Sequence, residues 1–212
     1  PITLEQAEHS GKTAADLKID ADTLQKIQEL QERLSSDDLD IEELISIGND
    51  TYNLQRDVIK SKLAAQLGVE SDDIGIYSSY DKSQGDGSRE YIEVKGENQY
   101  NNRTIFESQL PDEIENYIKE VARTQTNITN VRNGTFDKKD IIKAYKEVIG
   151  ETSQFAAGDL KIEYEVDENN KVVKDQNGNA KIKKITYDQT TQKELNTSKT
   201  TAKMTERDDE ER

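Results

Sequence analysis

The chain has 212 residues, 44 of them Asp or Glu against 29 Lys or Arg, giving a formal charge of −15 and a mean hydropathy of −0.97. Leu, Ile, Val and Phe make up about a fifth of it, just above the level at which charged chains stay unfolded, so any core is small or shared between subunits. The absence of Cys excludes a disulfide framework, a thiolate zinc site and a cysteine nucleophile, and the acidic balance argues against binding phosphate backbones or anionic lipid.

Residues 1–20 carry Ile2, Leu4, Leu17 and Ile19 without a period and read as an arm. The opening Pro1 to Gln6 has neither a basic start nor an apolar run, so no uncleaved signal peptide is expected. From Asp22, taken as a cap, Leu24, Ile27, Leu30 and Leu34 recur at helical spacing and predict a helix to about Ser35. A second short helix is expected after Ser36 or Asp37, with Leu39, Leu44, Ile45 and Ile47 apolar and Gly48 as its stop. A third runs from Thr51 to Leu67, its stripe Leu54, Val58, Ile59, Leu63 and Leu67, with Gly68 closing it.

The period then changes. Ile74 and Ile76, with Tyr80 beyond them, alternate with small or polar residues; Tyr91 and Glu93 alternate with Ile92 and Val94, predicting a β-hairpin over 74–96 with its tip at Lys82 to Gly87. Asn98 to Asn102 reads as loop. Pro111 with Asp112 and Glu113 starts a longer helix whose buried face is Ile114, Tyr117, Ile118, Val121, Ile128 and Val131, ended by Asn133-Gly134. Asp137 opens a further helix with Ile141, Ile142, Tyr145, Val148 and Ile149 on one side and Gly150 as its stop. Leu160 to Val166, Lys171 to Lys174 and Ala180 to Tyr187, separated by turns at Asp167–Asn170 and Asp175–Gly178, predict a three-strand meander. Beyond Asp188 only Leu195 and Met204 are sizeable apolar side chains. Such a tail cannot offset its own ordering cost and would need a neighbouring chain to order it.

No motif for chemistry stands out. His9 is the single histidine, with no triad or metal spacing around it. The pairs Asp37-Asp38, Glu42-Glu43 and Asp72-Asp73 diverge by about 100 degrees on a helix and read as caps and solvent faces. The loops from Asp81 and Asp175 lack the Gly at position 6 and Glu at position 12 of a calcium loop and read as turns. Gly11-Lys12-Thr13 has no preceding Gly at phosphate-loop spacing.

Lys60 to Ile74, with Ala64, Gly68 and Ile74 at the helix contact, turn and core positions, resembles the helix-turn-helix of repressors. The resemblance implies DNA reading by the segment from Glu70, but its Glu70, Asp72 and Asp73 would set carboxylates against phosphates, so a capped helix and turn is the reading kept. Leu67-Gly68-Val69 and Asp72-Asp73-Ile74 also resemble acyl carrier proteins, but the Asp-Ser-Leu that carries the phosphopantetheine is missing.

The fold expected is therefore α+β: a mainly helical body of helical hairpins over 21–150 with the β-hairpin inserted at 74–96, a β-meander over 151–187, an extended N-terminal arm over 1–20 and a polar C-terminal tail over 188–212. The function expected is structural, not enzymatic: a component of a large symmetric assembly, of the neck, connector or ring type in a viral (phage) particle, assembled in the host cytoplasm and located in the virion. The alternative is a secreted or surface-displayed bacterial appendage or secretion-system protein, found outside the cell or on its surface. The partners expected are copies of itself and other proteins of the particle, with no cofactor, no metal, no membrane span and no direct nucleic-acid binding. The expected contact residues are Ile2, Leu4, Leu17, Ile19, Leu195 and Met204.

Overall fold

The first helix, α1 (Ala21–Leu34), begins where Asp20 folds back on it. The Asp20 carboxylate accepts from the Thr23 amide at 2.8 Å and from the Thr23 hydroxyl at 2.7 Å, satisfying a donor that a helix start leaves orphaned. The cap is thus Asp20, not Asp22, which instead pairs with Lys26 one turn on, at 3.1 Å. Residues 19–79, 89–98 and 100–188 are those that the computed structural model describes.

Four helices and five strands make up these residues: α1, α2 (Ile41–Leu67), β1 (Ile74–Ser78), β2 (Glu90–Val94), β3 (Arg103–Ile105), α3 (Asp112–Arg132), α4 (Lys138–Ala157), β4 (Asp159–Tyr164) and β5 (Ile182–Asp188). The fold is α+β, helices with two small antiparallel sheets. None of the described helices is long and apolar enough to cross a membrane.

Two expected helix stops are overturned. Gly48 lies inside α2, a continuous helix of 27 residues, because this glycine serves a close approach and not a termination. A Cβ at Gly48 would stand 2.5 Å from the Tyr145 hydroxyl and 2.7 Å from Ile128 Cγ1, so only hydrogen fits there. Gly150 likewise lies within α4, which runs on to Ala157 because Thr152, Ser153, Phe155, Ala156 and Ala157 continue its buried face. The true end of α2 is Gly68, at φ 68°, whose amide and that of Val69 both reach the Ala64 carbonyl, at 2.9 and 3.2 Å.

The chain divides into two compact units that interleave along the sequence. Among the described residues, the first comprises 19–58 and 124–159: α1, the first part of α2, the end of α3, and α4. Its buried side chains include Leu24, Ile27, Leu30, Leu44, Ile47, Ile128, Tyr145 and Ile149, and α1 packs on α4. A polar layer of Thr51, Gln55, Thr152 and Ser153 is buried with them. Thr152 satisfies its hydroxyl on the Val148 carbonyl at 2.8 Å, whereas the Tyr145 hydroxyl has no partner among the described residues. Burial pushes the Tyr145 phenol up to about 12.

The second unit comprises 59–123 and 160–188. Its three-stranded antiparallel sheet has the order β1-β2-β3, with Ile76 opposite Ile92 and Ile92 opposite Ile105. The inner face is Ile74, Ile76, Ile92, Val94 and Ile105, and α3 adds Ile114, Tyr117, Ile118 and Val121 to the buried set. Strand β4 is fastened to the end of α2, since the Ile162 amide donates to Gln66 Oε1 at 3.0 Å and the Tyr164 hydroxyl to the Gln66 carbonyl at 2.9 Å.

The expected third strand of the meander is reduced to two bridges, Val166 with Val172 and Lys174 with Ala180, and the sheet there is the pair β4 and β5. The reason lies in two tight turns eight residues apart. Asp167 accepts from the amides of Asn169 and Lys171, and Asp175 from those of Asn177 and Asn179, so the chain bends before a strand can extend. The three arms meet in a closed ring of backbone bonds: Val173 donates to Glu165, Glu165 to Lys181 and Lys181 to Val173, each at 2.9 Å.

Candidate functional site

Of the expected contact residues, Ile2, Leu4, Leu17, Leu195 and Met204 lie outside the described residues, as do His9, the hairpin tip and the residues after Asp188. Ile19 is placed elsewhere than expected. It is 2% exposed, directly before the α1 cap, and belongs to the core of the first unit and not to a free arm. An isoleucine this well buried in its own chain offers no surface to another.

The described surface has its most distinctive chemistry on the three-stranded sheet of the second unit. Strand alternation puts Gly75, Tyr77, Tyr91, Glu93 and Thr104 on the face opposite the core. Tyr77 and Tyr91 are register partners, and their rings stack with centroids 5.1 Å apart and planes at 20°. The Tyr77 ring leans along its own strand over Gly75, and Tyr77 remains 44% exposed. Beyond β3, Phe106 stands 61% exposed at the start of a 3₁₀ turn, Glu107–Gln109, whose Gln109 side chain accepts from the Phe106 amide at 3.1 Å. An open depression runs between these groups, lined by Arg89, Tyr91, Glu93, Thr104, Phe106 and Ser108.

At the end of the sheet three carboxylates converge. Glu90, the first residue of β2, shares the inward phase of Ile92 and Val94 and is fully buried. Glu107 comes from the exposed turn and Glu115 from the first turn of α3. One oxygen of each lies within 4.8 Å of the other two. Unit charges at that spacing repel by about 3 kcal/mol per pair even at an effective permittivity of about 20. Accordingly Glu115 is held above the ordinary carboxylate range, first by burial, then by the charge of Glu107 and a hydrogen bond to it, and then by Glu90, with Lys119 opposing. The sequence contained a signal for Glu90 that its acidic identity obscured: its place in the alternation with Ile92 and Val94 points it inward.

The first unit presents a charged groove between α1 and α2, lined by Lys26, Glu29, Arg33, Asp50, Asn53 and Asp57. Both its cations are already engaged, since Arg33 reaches Asp50 at 2.6 Å and Ser46 at 2.9 Å and Lys26 pairs with Asp22 at 3.1 Å. That leaves a solvated polar face of small energetic weight. No known protein family, curated protein or solved structure matches the chain.

Proposed function

We propose that the protein works through protein–protein contacts, as a non-enzymatic structural component of a large symmetric assembly. The observation that carries this reading is the exposed aromatic face of the sheet. Tyr77, Tyr91 and Phe106 gather there on a small sheet whose edges, β1 and β3, are short strands able to add a neighbour. Rigid aromatic side chains carry large contact area at low entropic cost and are enriched in interface centres. A chain of low apolar content gains most from burying such a face against a second copy. The viral setting, a neck, connector or ring of a particle with the protein resident in the virion, extends this by analogy with rings built from head-to-tail contacts.

The experiment is the solution mass by size exclusion with light scattering, followed by the same measurement on Phe106→Ser and on a chain lacking residues 189–212. A discrete oligomer far above the 24.1 kDa chain mass, lost in Phe106→Ser while far-UV circular dichroism is unchanged, supports the reading. A monomer at every concentration would overturn self-assembly as the function.

A further inference from the structure

We infer that Glu90, Glu107 and Glu115 form a binding site for a hard divalent cation of calcium size. This goes beyond the assembly role and does not depend on it. The first observation is the convergence itself: three carboxylates from a strand start, a 3₁₀ turn and a helix start, with one oxygen of each within 4.8 Å of the others. The three come from three different elements and meet.

The second observation is the state of Glu90. Its side chain is fully buried, and of its two oxygens only Oε1 is engaged, accepting from the Ser78 hydroxyl at 3.1 Å. Oε2 is shielded from solvent and has no hydrogen-bond partner among the described residues. A carboxylate removed from water and half satisfied is costly to keep charged, and the group it faces is a pair of further carboxylates. A divalent cation between the three would neutralise Glu90 and remove the mutual repulsion in one step.

The donor set selects the ion. All ligands are carboxylate oxygens, which suit Ca²⁺, Mg²⁺ and Mn²⁺ and disfavour thiophilic metals. Separations anywhere up to 4.8 Å suit the flexible calcium sphere, whereas Mg²⁺ demands near-ideal octahedral geometry. Glu107 is exposed, so the site opens to solvent on that side, and water completes a coordination number that calcium tolerates flexibly.

The test uses the full chain, stripped with chelator. Isothermal titration with Ca²⁺ is expected to show one saturable site per chain, Mg²⁺ binding more weakly, and bound Tb³⁺ is expected to luminesce on excitation of the neighbouring Tyr91. Glu107→Gln, at an exposed position that spares the fold, should weaken Ca²⁺ by about tenfold or more, as removal of one charged ligand implies. Glu90→Gln should do the same with its melting transition retained. Glu113→Gln, in the same first turn of α3 but outside the cluster, should leave the affinity unchanged. Absence of saturable binding would overturn the proposal. So would an affinity that survives Glu107→Gln, or one lowered equally by Glu113→Gln, since either marks diffuse attraction to an acidic surface.

Discussion

Gly48→Ala is the sharpest probe of how the helical unit is packed. In an unconstrained helix the change would stabilise by about 0.8–1.0 kcal/mol, the difference in helix propensity. Here the new methyl would sit 2.5 Å from the Tyr145 hydroxyl, 2.7 Å from Ile128 Cγ1 and 3.0 Å from Tyr145 Cζ. Distances this short require the neighbours to move in a close-packed interior, at a cost of about 1–3 kcal/mol. With both ring contacts and the Ile128 contact to relieve, the cost falls in the upper part of that range. The net expectation is destabilisation by about 1–2 kcal/mol, read as a lower urea midpoint at constant slope. The nearest atom is the hydroxyl, so Tyr145→Phe should relieve much of the clash. It also removes a buried hydroxyl that lacks a partner, and alone it should be neutral or stabilising. In the Tyr145→Phe background the cost of Gly48→Ala should therefore shrink by about 1 kcal/mol or more, a coupling that a double-mutant cycle measures directly. A Gly48→Ala variant more stable than the parent, or strict additivity with Tyr145→Phe, would refute the packing argument.

Three further outcomes follow. Asp20→Ala should cost about 0.5–2 kcal/mol through loss of the α1 cap. Burial alone would raise the Asp20 carboxyl, but the hydrogen bonds from Thr23 outweigh it and hold it below its ordinary value of 3.8, so its contribution is present above that value and is lost as pH falls through the folded-state value; acid unfolding of parent and variant should converge there. Glu115 has the opposite sign: its raised folded-state value means that stability present at low pH is lost as pH rises through it, so in chelator Glu115→Gln should melt above the parent at pH 7 and match it in acid. Tyr164→Phe deletes the bond to the Gln66 carbonyl and should lower stability by about 1 kcal/mol in thermal unfolding.

Where one face of an element meets a core, its residues declared it. The stripe Leu24, Ile27, Leu30 and Leu34 is buried as its spacing predicts, and the hairpin pairs Ile76 with Ile92. Positions governed by distant neighbours were not legible. Gly48 and Gly150 carry the local mark of helix ends, yet α2 and α4 pass through them, and at Gly48 the reason is a tyrosine 97 residues away. Strand β3 has three residues and one buried apolar side chain, too few to form an alternation. The carboxylate cluster joins positions 90, 107 and 115, which no spacing rule connects, because a strand start, a turn and a helix start are brought together only by the fold. The expected contact residues, apart from Ile19, fall outside the described segments.

The interleaving of the two units constrains the order in which the molecule can be made. Among the described residues, the first unit draws on residues as late as 159 and the second on residues as late as 188, and each is built from two segments that residues of the other separate. A chain emerging from the ribosome at about 5–20 residues per second therefore holds α1 and the start of α2 for several seconds before the helices that cover them exist. During that interval Leu24, Ile27 and Leu30 have only local company. Nor can either unit be excised as one continuous fragment: a cut after residue 123 divides α3 and leaves both units without a needed part.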